Sequence, residues 1–438
     1  MTRPARGAAP VRVVLTALTV LAVAALAAGC GSSAGQLPPT AAGASGASGA
    51  SAAGVAAPTS GLSGLSAATS LTAPDGNWAV VPMGGTGPNL FWQLFSLPVG
   101  GTKWSLQTPP AVATNGALIL APQDGAKPNE ETLTAGIRPS LDLSFSPVTA
   151  TADGGHSWQT IVPASGLANA PDALAAAPGG PLLSLGSGQQ VSEIASAAAP
   201  GWTTLTSQRT LAATAAGRDC ALTGLSAVAY TQTGTALVGG DCGKGGVVGI
   251  FARSAAGTWQ LAGPALPAAL SGGPVRVLRL TRSGDTNIAL LETGTGASAA
   301  LVAAWSADGT GHWTLSPAYR LSGAEPVSVS FGAAGASAGG KSAGSASSGG
   351  VSAGASTGVG VVLSGNRGVV LSGPRSSWRS VPALPSGQSV TLALVSPGVT
   401  EALAASGSDL TVWRLGSQAG RWTVAQRVKV PIEYGSSS

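Results

Sequence analysis

Val390-Thr-Leu-Ala-Leu-Val395, Thr400-Glu-Ala-Leu-Ala404, Asp409-Leu-Thr-Val-Trp-Arg-Leu415 and Arg421-Trp-Thr-Val424 are four short β-prone runs set within about 35 residues. Runs this short, broken by turn residues and without a 3.6-residue apolar rhythm, read as strands. Trp422 heads the last run and is followed by a polar and then an apolar residue. The same phrase starts at Trp104, Trp158, Trp202, Trp259, Trp313 and Trp378, and the intervals along the series are 54, 44, 57, 54, 65 and 44 residues. A recurrence of roughly 40–50 residues, with four strands in each unit, marks a propeller blade. The expected fold is all-β: a seven-bladed β-propeller of four-stranded antiparallel blades.

The rest of the chain follows this template. A third strand precedes most of the marker tryptophans: Leu90–Phe95, Gln190–Ile194, Val247–Phe251, Ala300–Trp305 and Gly368–Leu371. Each marker then opens a fourth strand, which often ends at a proline such as Pro109, Pro163, Pro264, Pro317 or Pro382. An outer edge strand tolerates proline because the missing N–H leaves no ladder bond unmade. The longest interval holds a low-complexity insertion at 332–358, 27 residues of almost pure Gly, Ala and Ser, without which it is 38 residues. The first blade reads as lacking its innermost strand, and Val428–Tyr434 at the other end of the chain is a candidate to supply it, a pairing that would leave fewer free edges. The propeller domain is expected to span 75–438.

Before it lie two segments of another kind. Arg3, Arg6 and Arg12 form a basic region, Val13–Ala28 is an uncharged apolar stretch of 16 residues, and Leu26-Ala27-Ala28-Gly29-Cys30 follows with small residues before a cysteine. This is an export signal, 1–29, too short to span a bilayer comfortably. Its end resembles the bacterial lipobox, which implies a lipoprotein with lipid on Cys30 and attachment to the outer face of the cytoplasmic membrane. Residues 30–74 are a Gly/Ala/Ser-rich tether with too few bulky groups to repay chain ordering. The alternative is an uncleaved anchor with an incidental Cys30.

Charge and cysteine usage agree with export. The signal carries three of the 22 basic residues and none of the 17 acidic ones, so the remaining chain is close to neutral. Clusters of phosphate-tracking arginines are absent, so no nucleic-acid partner is expected. Abundant Gly and Ala with 9% charged residues suit an extracytoplasmic domain from a high-GC bacterium such as an actinobacterium. Cys220 and Cys242 read as a disulfide between adjacent strands of one blade. No cysteine or histidine stands at metal-ligand spacing, and no metal or cofactor is expected.

Around the second marker the phrase becomes Thr151-Ala-Asp153-Gly-Gly155-His-Ser157-Trp158, and around the fifth Ser306-Ala-Asp308-Gly-Thr-Gly-His312-Trp313. Both resemble the Asp-box, or bacterial neuraminidase repeat, Ser/Thr-x-Asp-x-Gly-x-x-Trp; the second puts Thr310 where glycine is expected. The resemblance implies a hairpin in which hydroxyl and aspartate hold turn amides, glycine takes a conformation closed to other residues, and tryptophan packs into the blade. Thr151, Asp153, Gly155, Trp158, Ser306, Asp308 and Trp313 are therefore expected to be structural. Proteins with this repeat include sialidases, sortilin-type receptors and factors that assist photosystem assembly, so the resemblance fixes a fold far better than a function.

Catalytic groups are hard to find. His156 and His312 are the only histidines and both sit in box turns, which disfavours a Ser-His-Asp triad. Gly335-Ala-Ser-Ala-Gly-Gly340-Lys341-Ser342 matches the phosphate-loop pattern, but Gly/Ser repeat follows where a helix must start, so no nucleotide is expected. The same tract contains Gly335–Gly339 and Gly350–Gly354, chance matches to the nucleophile-elbow pattern. The resemblance implies for a sialidase three arginines on a carboxylate, a tyrosine nucleophile paired with glutamate, and an acid/base aspartate. Arg138 stands before the first box as such an arginine would, and the tyrosines are Tyr230, Tyr319 and Tyr434. Arg276, Arg279 and Arg282 read as one solvated strand face, and Glu130-Glu131 as an exposed loop. No catalytic residue is assigned. The expectation is a non-enzymatic binding or assembly scaffold for an extracytoplasmic protein or glycan; the alternative is a sialidase-like glycoside hydrolase.

Overall fold

The computed structural model describes residues 65–431 apart from 86–88, 111–115, 124–131, 139–147, 161–170, 178–179, 187, 196–200, 334–356 and 417–419. The signal, Cys30, Glu130-Glu131, both nucleophile-elbow matches, the phosphate-loop match and Tyr434 lie outside the described residues.

The strands fall in chain order into antiparallel meanders. The first is Thr69–Ala73, Gly76–Gly84, Leu90–Pro98 and Ser105–Leu106 (β1–β4). The second is Ala117–Pro122, Leu133–Arg138, Val148–Thr151 and Gln159–Thr160 (β5–β8). The third is Pro171–Ala176, Leu182–Gly186, Gln190–Ile194 and Thr203–Ser207 (β9–β12). The next sheet joins Leu222–Tyr230, Ala236–Cys242, Gly249–Arg253 and Trp259–Leu261 (β13–β16) to Val275–Ser283, Thr286–Thr293, Ala300–Ser306, Thr314–Leu315 and Tyr319–Arg320 (β17–β21). The join is the single pairing of Cys242 with Val275. Pro326–Ala333, Thr357–Leu363, Arg367–Leu371 and Arg379–Ser380 (β22–β25) and Ser389–Ser396, Val399–Ser406, Asp409–Leu415 and Thr423–Lys429 (β26–β29) complete the set.

First strands of neighbouring meanders pack side by side, β5 on β9, β9 on β13, β13 on β17 and β22 on β26, and β1 packs against both β22 and β26. This ring of four-stranded meanders is a β-propeller. Apolar clusters fill the wedges between neighbouring meanders. Leu278, Leu290 and Leu301 meet Val329, Val361 and Val369 in one, and Val81, Phe95 and Leu97 meet Leu403, Leu410 and Val412 in another.

Two expectations fail. The innermost strand of the first meander is β1, which falls inside the stretch read as tether, and its Thr69 to Ala73 pair with Val80 to Gly76. Val428 and Lys429 belong instead to the outermost strand β29, paired with β28. Among the described residues the ring therefore closes without a shared sheet: the ends meet in one isolated pairing, Gly84 with Gly407, and in side-chain hydrogen bonds. Ser389 Oγ and Thr391 Oγ1 donate to the Pro82 and Val80 carbonyls at 2.6 and 3.0 Å, and Asn77 Nδ2 to Val395 at 3.2 Å.

Two short helices, Gln208–Ala212 (α1) and Ala215–Cys220 (α2), link the third meander to the fourth. Each is started by a side-chain cap, Ser207 accepting from Thr210 N and Thr214 from Gly217 N. Cys220 is bonded to Cys242, so the disulfide joins a helix end to a strand rather than two strands. The insertion opens between β22 and β23, whose Gly332 and Ala333 pair with Gly358 and Thr357.

Candidate functional site

All seven marker tryptophans stand at the entrance to an outermost strand, from Trp104 before Ser105 to Trp422 before Thr423. The two sharp turns are built alike. Thr151 Oγ1 accepts from Gly155 N at 2.9 Å and donates to Asp153 Oδ1, which also accepts from Ser157 N at 2.8 Å. Gly155 has φ +89°, and an added Cβ would meet Gln107 and Trp78 at 2.8–3.0 Å. Ser306 Oγ accepts from Gly309 N, and Asp308 Oδ1 from Thr310 N at 3.0 Å. Donors on the turn hold both aspartates down to about 2, with Ser157 dominant at Asp153 and the Thr310 amide at Asp308. His156 and His312 are exposed.

The tryptophans pack between neighbouring meanders, not only into their own. Trp313, Trp378 and Trp422 donate Nε1 to the carbonyls of Ala262, Pro317 and Pro382 at 2.7, 2.8 and 3.2 Å, each just past the preceding meander's outermost strand. Trp158 sits edge-on to Trp78 of the first meander, ring centres 6.2 Å apart. They are joints of the ring. Replacing Trp313 by phenylalanine is expected to lower stability by about 1 kcal/mol, the net value of one hydrogen bond, read as a shift in urea midpoint.

Inside the ring is a small channel cavity of about 90 Å³, lined from successive innermost strands by residues such as Leu71, Ile119, Asp172, Ser226 and Arg279. Arg138 donates to Asp172 Oδ1 and to the Pro171 carbonyl. Burial pushes the Asp172 carboxyl up while Arg138 pulls it down. Arg279 donates to the Ser66 and Leu278 carbonyls at 3.1 and 3.0 Å. Burial lowers Arg279 to about 10, against the upward pull of Asp172.

The arginines of β17 thus form no solvated face. A bulge between Val277 and Arg279 breaks the alternation. It sends Arg279 to the channel, while Arg282, 9% exposed, bonds Gln232 Oε1 at 2.8 Å. Arg276 lies 3.1 Å from Glu292 and 3.9 Å from Asp241. Burial, with a smaller push from Glu292, raises Asp241 to about 6 despite Arg276. Ionising Asp241 therefore costs more in the folded state than in the unfolded chain. Its stabilising contribution is complete below the ordinary carboxylate range and is lost as pH rises through about 6. Asp241→Asn should flatten this part of the melting-temperature profile between pH 4 and 7.5; an unchanged slope would refute the assignment.

One pairing went unnoticed in the sequence. Tyr230 OH donates to Glu193 Oε1 at 2.7 Å, and burial, reinforced by this carboxylate, holds the phenol far above its usual range. Neither Tyr230 nor Glu193 is among the residues lining the channel. Tyr319 packs against Trp378, ring centres 6.0 Å apart.

Antiparallel order puts the starts of the innermost strands and the second-to-third turns on one face, and the third-to-fourth turns with the two Asp-containing hairpins on the other. The first face carries a groove of about 690 Å³ bounded by Ser66, Leu90, Trp92, Val327, Asn366 and Gln388, among others, none of its lining residues ionisable. Its size falls within the roughly 300–1,000 Å³ of small-molecule sites. The Trp92 Nε1 and Ser328 Oγ are buried beside it with no hydrogen-bond partner among the described residues. Among those residues no group of acidic, cysteine or histidine side chains could hold a metal ion.

No family model and no curated protein matches the sequence. Solved structures that resemble it are propellers of low identity. YCF48 bound to D1 peptide is 18% identical over 56% of this chain and 65% of that one, with a TM-score of 0.33. YCF48 from Cyanidioschyzon merolae is 12% identical over 78% of this chain and 94% of that one, with a TM-score of 0.43. A fungal lectin from Aleuria aurantia, a six-bladed β-propeller, is 11% identical over 84% of this chain and 96% of that one, at 0.35. The chain spans just under two thirds of the length of the first of these.

Proposed function

We propose that the protein is a seven-bladed, extracytoplasmic propeller lipoprotein, tethered through lipid on Cys30, that binds a protein or glycan partner and catalyses no reaction. The observation that carries the binding role is the uncharged groove on the face opposite the Asp-containing turns. A count of seven blades follows if the nine-stranded sheet is divided at its single Cys242–Val275 pairing. The turns at Thr151–Trp158 and Ser306–Trp313 have the bonding expected of Asp-boxes, and we assign them as such.

Photo-crosslinkers placed in intact cells at Val327, beside the groove, and at His156, on the other face, test the reading. Adducts from Val327 alone support it. Adducts from His156 alone, or from neither in repeated trials, overturn it. Cys30→Ser should release the protein from membranes, and retention there would favour an uncleaved anchor.

For the sialidase-like alternative, Asp172 and Arg279 line the channel, Arg138 bonds Asp172, and Tyr230 is paired with Glu193, but neither member of that last pair lines the channel. Turnover of a fluorogenic sialoside would decide for the enzyme.

A further inference from the structure

The groove and the channel cavity are neighbours, and one stretch of backbone separates them. Ser66 and Ala68 line the groove, while Ala67 and Thr69 line the channel. The backbone bends at Ala67, and neighbouring residues face the two spaces in turn, so this wall is one chain thick.

The segment is held unevenly. From Thr69 onward it is tied into the ring: β1 pairs with β2, Thr69 Oγ1 donates to the Val329 carbonyl at 2.5 Å, and Ser70 Oγ to the Leu392 carbonyl at 2.8 Å. Before Thr69 the ties to the ring are few. Ser66 N donates to the Val327 carbonyl at 2.7 Å, Arg279 Nη2 donates to the Ser66 carbonyl at 3.1 Å, and Leu65 packs partly buried on an apolar cluster. Ala68, which is buried, and Ala67 pack by their methyl groups alone on the apolar cluster around Trp78 and Trp92. Breaking these ties would free residues 66–68, hinged at Thr69, and leave β1 paired.

Lifting them changes the chemistry of the channel. Arg279 loses a carbonyl that stands where a ligand oxygen could stand. Among the described residues Asp172 is the one carboxylate lining the cavity, and it is already paired with Arg138, which reaches it from outside the lining. Arg279 thus shares its one nearby carboxylate with another guanidinium, in a poorly solvated place where a charge without its own partner is costly. A carboxylate is a stronger acceptor for guanidinium than a neutral carbonyl.

We propose that Ser66–Ala68 is a removable plug whose withdrawal joins groove and channel into one funnel and exposes Arg279 as the anchor for a carboxylate-bearing ligand. This rests on the groove face being the binding face, but its test reads channel access rather than partner capture, so the two can fail separately.

The test uses the full chain carrying Cys30→Ser, with Cys220–Cys242 intact, and a reporter, Thr281→Cys, in the channel wall. Ser226→Cys serves as a second reporter should the first fail to fold, and Ser184→Cys, buried in the third meander, reports global opening. Anionic sulfonatoethyl and cationic trimethylammonioethyl methanethiosulfonates of similar size are the probes. Ser66→Pro removes the amide that binds Val327. It should raise labelling in the channel about tenfold with the Ser184→Cys rate unchanged, as local opening requires. In the opened protein the anionic probe should lead the cationic one by about tenfold, and Arg279→Gln should abolish that lead, since the preference is a field effect of one cation. Equal acceleration at Ser184→Cys, or none in the channel, overturns the plug. Equal rates for the two probes with Arg279 present overturn the anion anchor.

Discussion

Glu401→Ala is expected to destabilise the protein by about 3 kcal/mol, the lower end of the cost of breaking a buried charged pair from one side. Glu401 is fully buried in the second strand of the last meander. It accepts from Trp104 Nε1 at 2.6 Å and from both Arg414 Nε and Nη2 at 2.6 Å. Trp104 belongs to the first meander, so this carboxylate lies on the seam where the ring closes. Alanine would leave a buried indole N–H and a guanidinium without their acceptor. The lower end is chosen because the Arg414 side chain is 38% exposed and recovers water. For a domain of this size the loss is a fall of about 4 °C in melting temperature. A variant melting within a degree of the wild type would show that the seam is held elsewhere.

The second large effect concerns Cys220 and Cys242, whose bond closes a 22-residue separation. Replacing both with alanine is expected to cost about 3 kcal/mol through the freedom returned to the unfolded chain. Both cysteines are buried, within a cluster that includes Leu211 of α1, Leu222 and Tyr230. The helices have five and six residues, too short to persist without tertiary support. Hydrogen exchange in 208–220 should therefore accelerate more than in any strand. Uniform acceleration, or a midpoint shift below about 1 kcal/mol, would contradict a local role for the bond.

The outer half of every meander was legible because its signals are local. A tryptophan after a turn, with a strand on each side, needs no distant partner to be recognised. The two hydroxyl–Asp–Gly turns are equally self-contained: the groups that bond are at most four residues apart. β1 was missed because Thr69-Ser-Leu-Thr-Ala73 differs little in composition from the tract before it. What makes it a strand is its pairing with β2 and its hydrogen bonds to residues about 260 and 320 positions away. Arg279 was misplaced because its surroundings come from far along the chain: it bonds the carbonyl of Ser66, 213 positions away, beyond a bulge at Val277–Arg279. The candidate site was least legible of all. Its groove takes walls from the first meander and the last two, and no motif announces residues such as Leu90, Val327 and Gln388 as neighbours.

The closure without a shared strand also has a consequence in time. Trp104 and Glu401 are 297 residues apart, and the other seam bonds span comparable lengths. A chain that folds as it emerges builds an open arc first, with the apolar flank of the first meander facing solvent until the last meander arrives. Any chain that stops before Ser389 is left in that state, an exposed surface for proteases to find. The seam bonds are thus open only to a chain that has reached the last meander.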